Sequence, residues 1–290
     1  MDGIIILDKD SGIFSRSAGW RVAKMFGEKK FGHIGTLDPM ASGVLPIAIG
    51  NATKMIPFIE EIQENKKEYL FGLQFGVDTD SLDITGNIVQ TNDIVPNEDD
   101  IIVACKKLQQ TNEQIPPKFS AIHVDGKRAY ELARAGKSVE MKPRSITIFE
   151  LEYTGKSREN EYNFRVLCSR GTYVRSIVRD IAKLCGTIAT TTYIRRTLTN
   201  GFDIKNAVKL DFLENLVNNG GHIKEYLMQS DCALGDIPVI NLNDKDTKLY
   251  KNGGFIKTAE KDGLYRIYSN KTFVGIGRAE AGNLKPKRTI

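Results

Sequence analysis

Gly32-His33-Ile34-Gly35-Thr36-Leu37-Asp38-Pro39-Met40-Ala41-Ser42-Gly43 is the stretch of this sequence best suited to chemistry. Asp before Pro is ordinarily a turn former, and one His in such a run is ordinarily a loop or core residue. What sets the stretch apart is the glycine around a single acid. Backbone without Cβ atoms lets a phosphodiester come close to a carboxylate without side-chain obstruction. A carboxylate so placed can act as a nucleophile and later as a leaving group. Other chemical signatures fail on spacing. Gly136-Lys137-Ser138 resembles the end of a phosphate loop, but Glu131 stands where its first glycine belongs. Gly275-Ile276-Gly277 meets Glu280 in place of a third glycine, and no G-x-S-x-G occurs. Cys105, Cys168, Cys185 and Cys232 are far apart, with no C-x-x-C pair, so neither zinc nor a disulfide framework is expected.

The elements that must position these residues follow from periodicity. Ile4 to Leu7 reads as a strand, and Ser15 or Ser17 as the cap of a helix running to Phe26. Residues 31 to 51, with Gly32, Gly35, Gly43, Gly50, Pro39 and Pro46, read as a structured loop. Tyr69, Phe71, Leu73 and Phe75 alternate as one face of a strand, which gives Tyr69 a plain reading as a core residue. Asn97 caps an acidic first turn, and Ile101, Cys105 and Leu108 mark the helix face that follows. Pro116-Pro117 and Gly126 bracket a loop, with a short helix from Lys127 toward Gly136. Tyr162 to Cys168 alternates again. Ile177, Val178, Ile181, Leu184 and Cys185 then form the stripe of a helix that Gly186 stops, and Arg175 at its start reads most simply as a surface residue.

Strands and helices interleave without a regular βαβ beat, which predicts an α+β fold: a mixed, largely antiparallel sheet flanked by helices. Residues after Asn200 read as mainly helical. From Asp236 the texture changes to short strands at Val239–Leu242, Tyr265–Tyr268 and Phe273–Ile276, ahead of a basic tail at Lys285, Lys287 and Arg288. Two domains are expected from this shift, 1–235 and a small β-rich 236–290.

The net charge is +5, and it is unevenly spread. Residues 76–100 hold seven acids and no Lys or Arg, whereas residues 116–200 hold sixteen Lys and Arg against eight acids. Such a basic stretch is either a solvated surface or the footprint of a phosphate backbone. Acids flank the short apolar run at the N-terminus, unlike a signal peptide, and no run approaches the roughly 20 apolar residues that span a bilayer. A soluble, cytoplasmic protein is expected.

The run GHIGTLDPMASG resembles the signature motif of the bacterial tRNA pseudouridine-55 synthase family. Around it stand DKDSGIFS, KKEY at 66–69, GVDTDSLDITG at 76–86, IPPKFSAIHVDGKRAYELARAG at 115–136, CSRGTYVRSIVRDIA at 168–182 and YIRR at 193–196, in the family's order. The tail is similar to the PUA-like RNA-binding domain of many members. The departures are Asp10, where the family usually has Pro, and Ile34, where it has Thr.

The resemblance implies that Asp38 is the essential nucleophile, Tyr69 the ring that stacks on an everted uracil, and Arg175 the basic partner of Asp38. It also implies that His33 contacts the RNA loop and that Asp83 orders the pocket or lies along the RNA. The basic segment of about 116–145, with Lys127, Arg128 and Arg144, is expected to close over the RNA. Uridine isomerisation exchanges an N1–C1′ bond for a C5–C1′ bond without net redox change, so neither cofactor nor metal is called for. The expected partner is the T-arm of tRNA, acted on by a monomer that needs no protein partner. Two alternatives stand beside this reading: a tRNA-binding and refolding protein whose catalysis is secondary, and a synthase for another RNA.

Overall fold

A computed structural model describes residues 1–61, 66–124, 126–158 and 160–290. In chain order its principal elements are β1 (Gly3–Lys9), α1 (Ser15–Met25), β2 (Phe31–His33), β3 (Ser42–Ile49), β4 (Lys66–Phe75), α2 (Glu98–Gln109), α3 (Ala129–Arg134), β5 (Ile148–Arg158), β6 (Glu161–Ser169), α4 (Val174–Leu184), β7 (Ala189–Thr199) and α5 (Leu210–Asn218). They continue with β8 (Val239–Asn241), α6 (Asp244–Lys251), β9 (Ile256–Lys257), β10 (Gly263–Ser269), β11 (Thr272–Glu280) and β12 (Asn283–Thr289). This is the α+β class expected from the sequence. No helix among the described residues is long and apolar enough to cross a membrane.

The chain forms two compact units that interleave in sequence, one of residues 1–37, 45–64 and 200–290, the other of residues 38–44 and 65–199. In the second unit, β5, β6, β4 and β7 lie side by side, each antiparallel to the next. The start of β3 runs parallel to β7 there, Ser42 opposite Arg195 and Gly43 opposite Arg196. Alternation in β4 and β6 drives one face inward. Phe71 and Phe164 stack with ring centroids 5.2 Å apart, and Phe75 meets Tyr162 edge-on at 4.9 Å. Such aromatic pairs add about 1 kcal/mol beyond the area they bury. Helix α2 is capped as its sequence predicts, the Asn97 side chain accepting from the Asp100 amide at 2.9 Å.

In the first unit, β1 pairs in parallel with Val208–Lys209 and β2 pairs antiparallel with β3. Residues 239–289 build a sheet of their own in the order β8-β10-β11-β12-β9, over a core that includes Leu242, Tyr250, Ile267, Val274 and Leu284. The β10–β11 hairpin turns at Asn270-Lys271, both with positive φ, the conformation a tight two-residue turn demands.

Three sequence expectations need correction. The Gly- and Pro-rich stretch 31–51 is not all loop, because β2 and β3 fill most of it and β3 is buried nearly throughout. Ser15 does not cap α1. Its hydroxyl donates instead to the Leu37 carbonyl at 2.8 Å and accepts from the Leu37 amide at 3.0 Å. The stretch after Asn200 holds one regular helix, α5, and short 3₁₀ turns rather than mainly helix. The basic tail ends this β-rich stretch as strand β12, with Leu284 buried and Lys285 and Lys287 exposed.

Candidate active site

Local structure explains why the signature stretch holds so much glycine. Gly43 has φ +101°, and a Cβ there would sit on the Arg196 carbonyl of the adjoining strand. A side chain at this point is both strained and overpacked. Gly43→Ala is expected to lower stability by about 3 kcal/mol or more, read as a reduced urea midpoint at unchanged m-value. An unaltered midpoint would show that β3 and β7 can separate here without loss.

Asp38 enters the second unit immediately after Leu37, the residue clasped by Ser15. Its Oδ2 lies 2.7 Å from Nη2 of Arg175, whose side chain is only 4% exposed, while the Asp38 side chain remains 41% exposed. A buried cation is thus fixed beside an open carboxylate. Three further contacts fix that cation. Nη1 donates to the Ser81 carbonyl at 2.8 Å, Nη2 donates to the Phe119 carbonyl at 2.9 Å, and Asp83 Oδ2 lies 3.6 Å from Nη1. The other Asp83 oxygen accepts from the Ser81 hydroxyl, the Thr85 amide and the Thr85 hydroxyl at 2.5–3.0 Å. Asp83 is buried, with both carboxylate oxygens engaged by Arg175, Ser81 and Thr85.

Tyr69 in β4 pairs directly with Arg196 in β7. Arg196 is fully buried, and its Nε donates to the Val44 carbonyl at 2.8 Å. Burial pushes the Tyr69 phenol up to about 12; the neighbouring Arg196 opposes that rise, and the Asp38 carboxylate adds to it. Burial likewise lowers the proton affinity of the Arg196 guanidinium, while Tyr69 opposes the fall. Tyr173 is a further aromatic of this site: burial, and after it the Asp38 charge, raises its phenol above the ordinary range. The structure therefore gathers Asp38, Arg175, Asp83, Tyr69, Arg196 and Tyr173 in one unit.

Residue spacing assigns no role to Arg196 or Tyr173, although both lie in blocks that carry the family resemblance. Alternation from Ile194 puts Arg196 on the apolar side of β7, and an arginine at such a position is a signal of a buried, partnered cation. Register shifts between Thr191 and Tyr193 and between Arg196 and Leu198 blur that alternation.

The charge of Arg144 acts on the Tyr173 phenol, opposing its rise. His33 belongs to the first unit, with its Nε2 3.0 Å from the Thr36 hydroxyl. Lys127 and Arg128, both exposed, lie in a two-residue ladder with His123–Val124, and Arg128 donates to the Ala121 carbonyl at 2.5 Å. Arg144 closes the root of that segment, paired with Gln114. The Gln114 amide bonds both the carbonyl and the amide of Tyr173, and the Ser176 hydroxyl bonds the Ile115 carbonyl. The root of the basic segment is thereby fastened to the start of α4, the helix that carries Arg175.

A carboxylate exposed to solvent, held by a buried guanidinium and bordered by two phenols, can attack an electrophilic carbon beside an aromatic ring. Residues 23–174 match the family model for TruB family pseudouridylate synthase (N terminal domain), and residues 238–290 match that for Pseudouridine synthase II TruB, C-terminal. The tRNA pseudouridine synthase B of Caulobacter vibrioides is 40% identical over 302 aligned residues, covering 100% of this chain and 96% of that protein. That of Clostridium kluyveri is 38% identical, covering 96% of this chain and 95% of its own. Among solved structures, an H/ACA RNP bound to a substrate RNA containing 2′-deoxyuridine matches with a TM-score of 0.69 at 22% identity, over 99% of this chain and 84% of that one, which is a likeness of fold. By its sequence, this chain belongs to the TruB family of pseudouridylate synthases.

Proposed function

We propose that this protein converts the uridine at position 55, in the T-loop of tRNA, to pseudouridine, with Asp38 as nucleophile. The observation that carries the reading is the open Asp38 carboxylate held 2.7 Å from the buried Arg175. The target atoms are shielded in a stacked loop, so the nucleotide must be everted, at a few kcal/mol. Stacking on Tyr69 offsets that by about 1–3 kcal/mol. Asp38 then attacks either uracil C6 or the sugar C1′. The N1–C1′ bond breaks, the base turns, C5 joins C1′, the bond to Asp38 breaks to return its carboxylate, the C5 proton is lost to a base and N1 gains one, with no net redox change. Arg175 holds the carboxylate in register and balances its charge.

His33 and the exposed Lys127, Arg128 and Arg144 serve as RNA contacts in this reading, with the 116–145 segment closing over the T-arm. Residues 1–235 carry the chemistry, and 236–290 form a PUA-like RNA-binding module. The enzyme acts alone, as a cytoplasmic monomer. Isolated T-arm stem-loops should be modified and ribosomal RNA fragments should not, read by base-resolved mapping of pseudouridine. Preferential modification of the ribosomal fragments would assign the chain another RNA.

Because burial raises the Tyr69 phenol to about 12, the ring is neutral at physiological pH and starts to lose its proton only as that value is approached. Between about pH 7 and pH 10 the rate profile should show no alkaline limb from this residue. Tyr69→Phe should lower the profile while keeping its shape. An alkaline limb in that range that disappears in Tyr69→Phe would mean that the phenolate is the working form.

A further inference from the structure

Helix α1 turns Ser15, Ala18, Gly19, Val22 and Ala23 inward, and Gly19 lies so close to the Phe31 ring that a Cβ would come within 2.9 Å of it. Its outer face carries Arg16, Trp20 and Lys24, all exposed. Their spacing of four residues aligns them along a single line of the helix. Trp20 is the only tryptophan in the chain, and it is 54% exposed. Lys24 Nζ lies 5.3 Å from the centroid of its ring. The charges near this line are divided in a telling way. Arg21 is occupied in a two-pronged ion pair with Glu214, at 2.7 and 2.6 Å, and Glu28 is engaged by the N-terminal ammonium. Arg16 and Lys24 flank the open indole, and Lys29 continues the positive charge beyond the helix.

A large aromatic exposed between two cations matches the way single-stranded nucleic acid is held, bases stacked on rings and phosphates on flanking cations. A duplex offers no free base face to such a ring, so the complementary ligand is an unpaired nucleotide. We propose that the outer face of α1 is an RNA contact separate from the Asp38 pocket, with Trp20 stacking on an unpaired base of the tRNA and Arg16 and Lys24 meeting the adjoining phosphates. This inference rests on the tRNA reading above.

Since Trp20 is the sole tryptophan, fluorescence of the intact protein excited beyond the absorption of its ten tyrosines reports on this face alone. Titration with unmodified tRNA should quench it, with a midpoint equal to the affinity found by filter binding. Trp20→Ala should weaken tRNA binding roughly tenfold, Trp20→Phe should restore most of that loss, and kcat at saturating tRNA should hold in both. Lys24→Ala should reduce the slope of log affinity against log salt by about one. Thermal melts of the variants matching the wild type will show that the fold is kept.

Unchanged fluorescence while filters retain tRNA and pseudouridine forms would overturn the α1 contact and leave the catalytic reading intact. A fluorescence change that follows protein concentration without RNA would overturn it in favour of a second copy of the chain. Absence of both tRNA binding and pseudouridine would overturn the two together.

Discussion

Asp38→Asn is expected to abolish pseudouridine formation, by more than about 10⁴-fold, while tRNA affinity stays within a few-fold. The amide is nearly isosteric but cannot attack C6 or C1′ and then depart. The fold should tolerate it. Arg175 keeps its bonds to the Ser81 and Phe119 carbonyls and its ion pair with the buried Asp83, so no cation is left stranded. The 41% exposure of the Asp38 side chain further limits what stability its charge supplies. Base-resolved mapping of tRNA incubated with wild type and variant is the direct measurement. Product at position 55 from a clean preparation of the variant would remove Asp38 from the nucleophile's role. Tight tRNA binding and loop refolding with no product from the wild type would instead favour a binding protein.

Arg175→Ala should lower kcat by roughly 10²–10³-fold, with a much smaller effect on tRNA affinity. In the proposed reading Arg175 is a positioning residue that acts through Asp38, from which it lies 2.7 Å. The same substitution should cost about 3–5 kcal/mol of stability, because it leaves the buried Asp83 carboxylate facing an empty site. These two losses can be separated. Substituting Asp83 by Asn in the Arg175→Ala background removes the stranded charge and should recover much of the stability, but none of the turnover. Arg175→Lys should also fall short in turnover, since a single ammonium cannot meet Asp38, Asp83 and two carbonyls together. A variant that melts early yet turns over normally when assayed cold would confine Arg175 to a structural role.

Much of this protein is legible along the chain because burial within one element is a local property. Alternation over residues 69–75 and 162–168 gives β4 and β6 with their inward faces, and the apolar stripe with Gly186 beyond it gives α4. Asn97 and its three acids specify the start of α2. The glycine-lined Asp38 likewise stands out by residue type, and the surrounding blocks fix the family. What periodicity cannot supply is which distant groups meet.

Asp38 reaches Arg175, and Tyr69 reaches Arg196, only because β3, β4 and β7 lie in a particular register. Strand order and bulges are set by the free energy of the whole sheet, and they leave no trace in any short window of sequence. For the same reason Asp83 reads as a site residue without showing that it lies beneath Arg175, and Ser15 reads as a helix cap although its hydroxyl holds Leu37. The chain alone singles out one carboxylate among glycines. Tertiary structure decided which charges stand beside it, because charge pairing depends on distances that only closed loops and packed strands can fix.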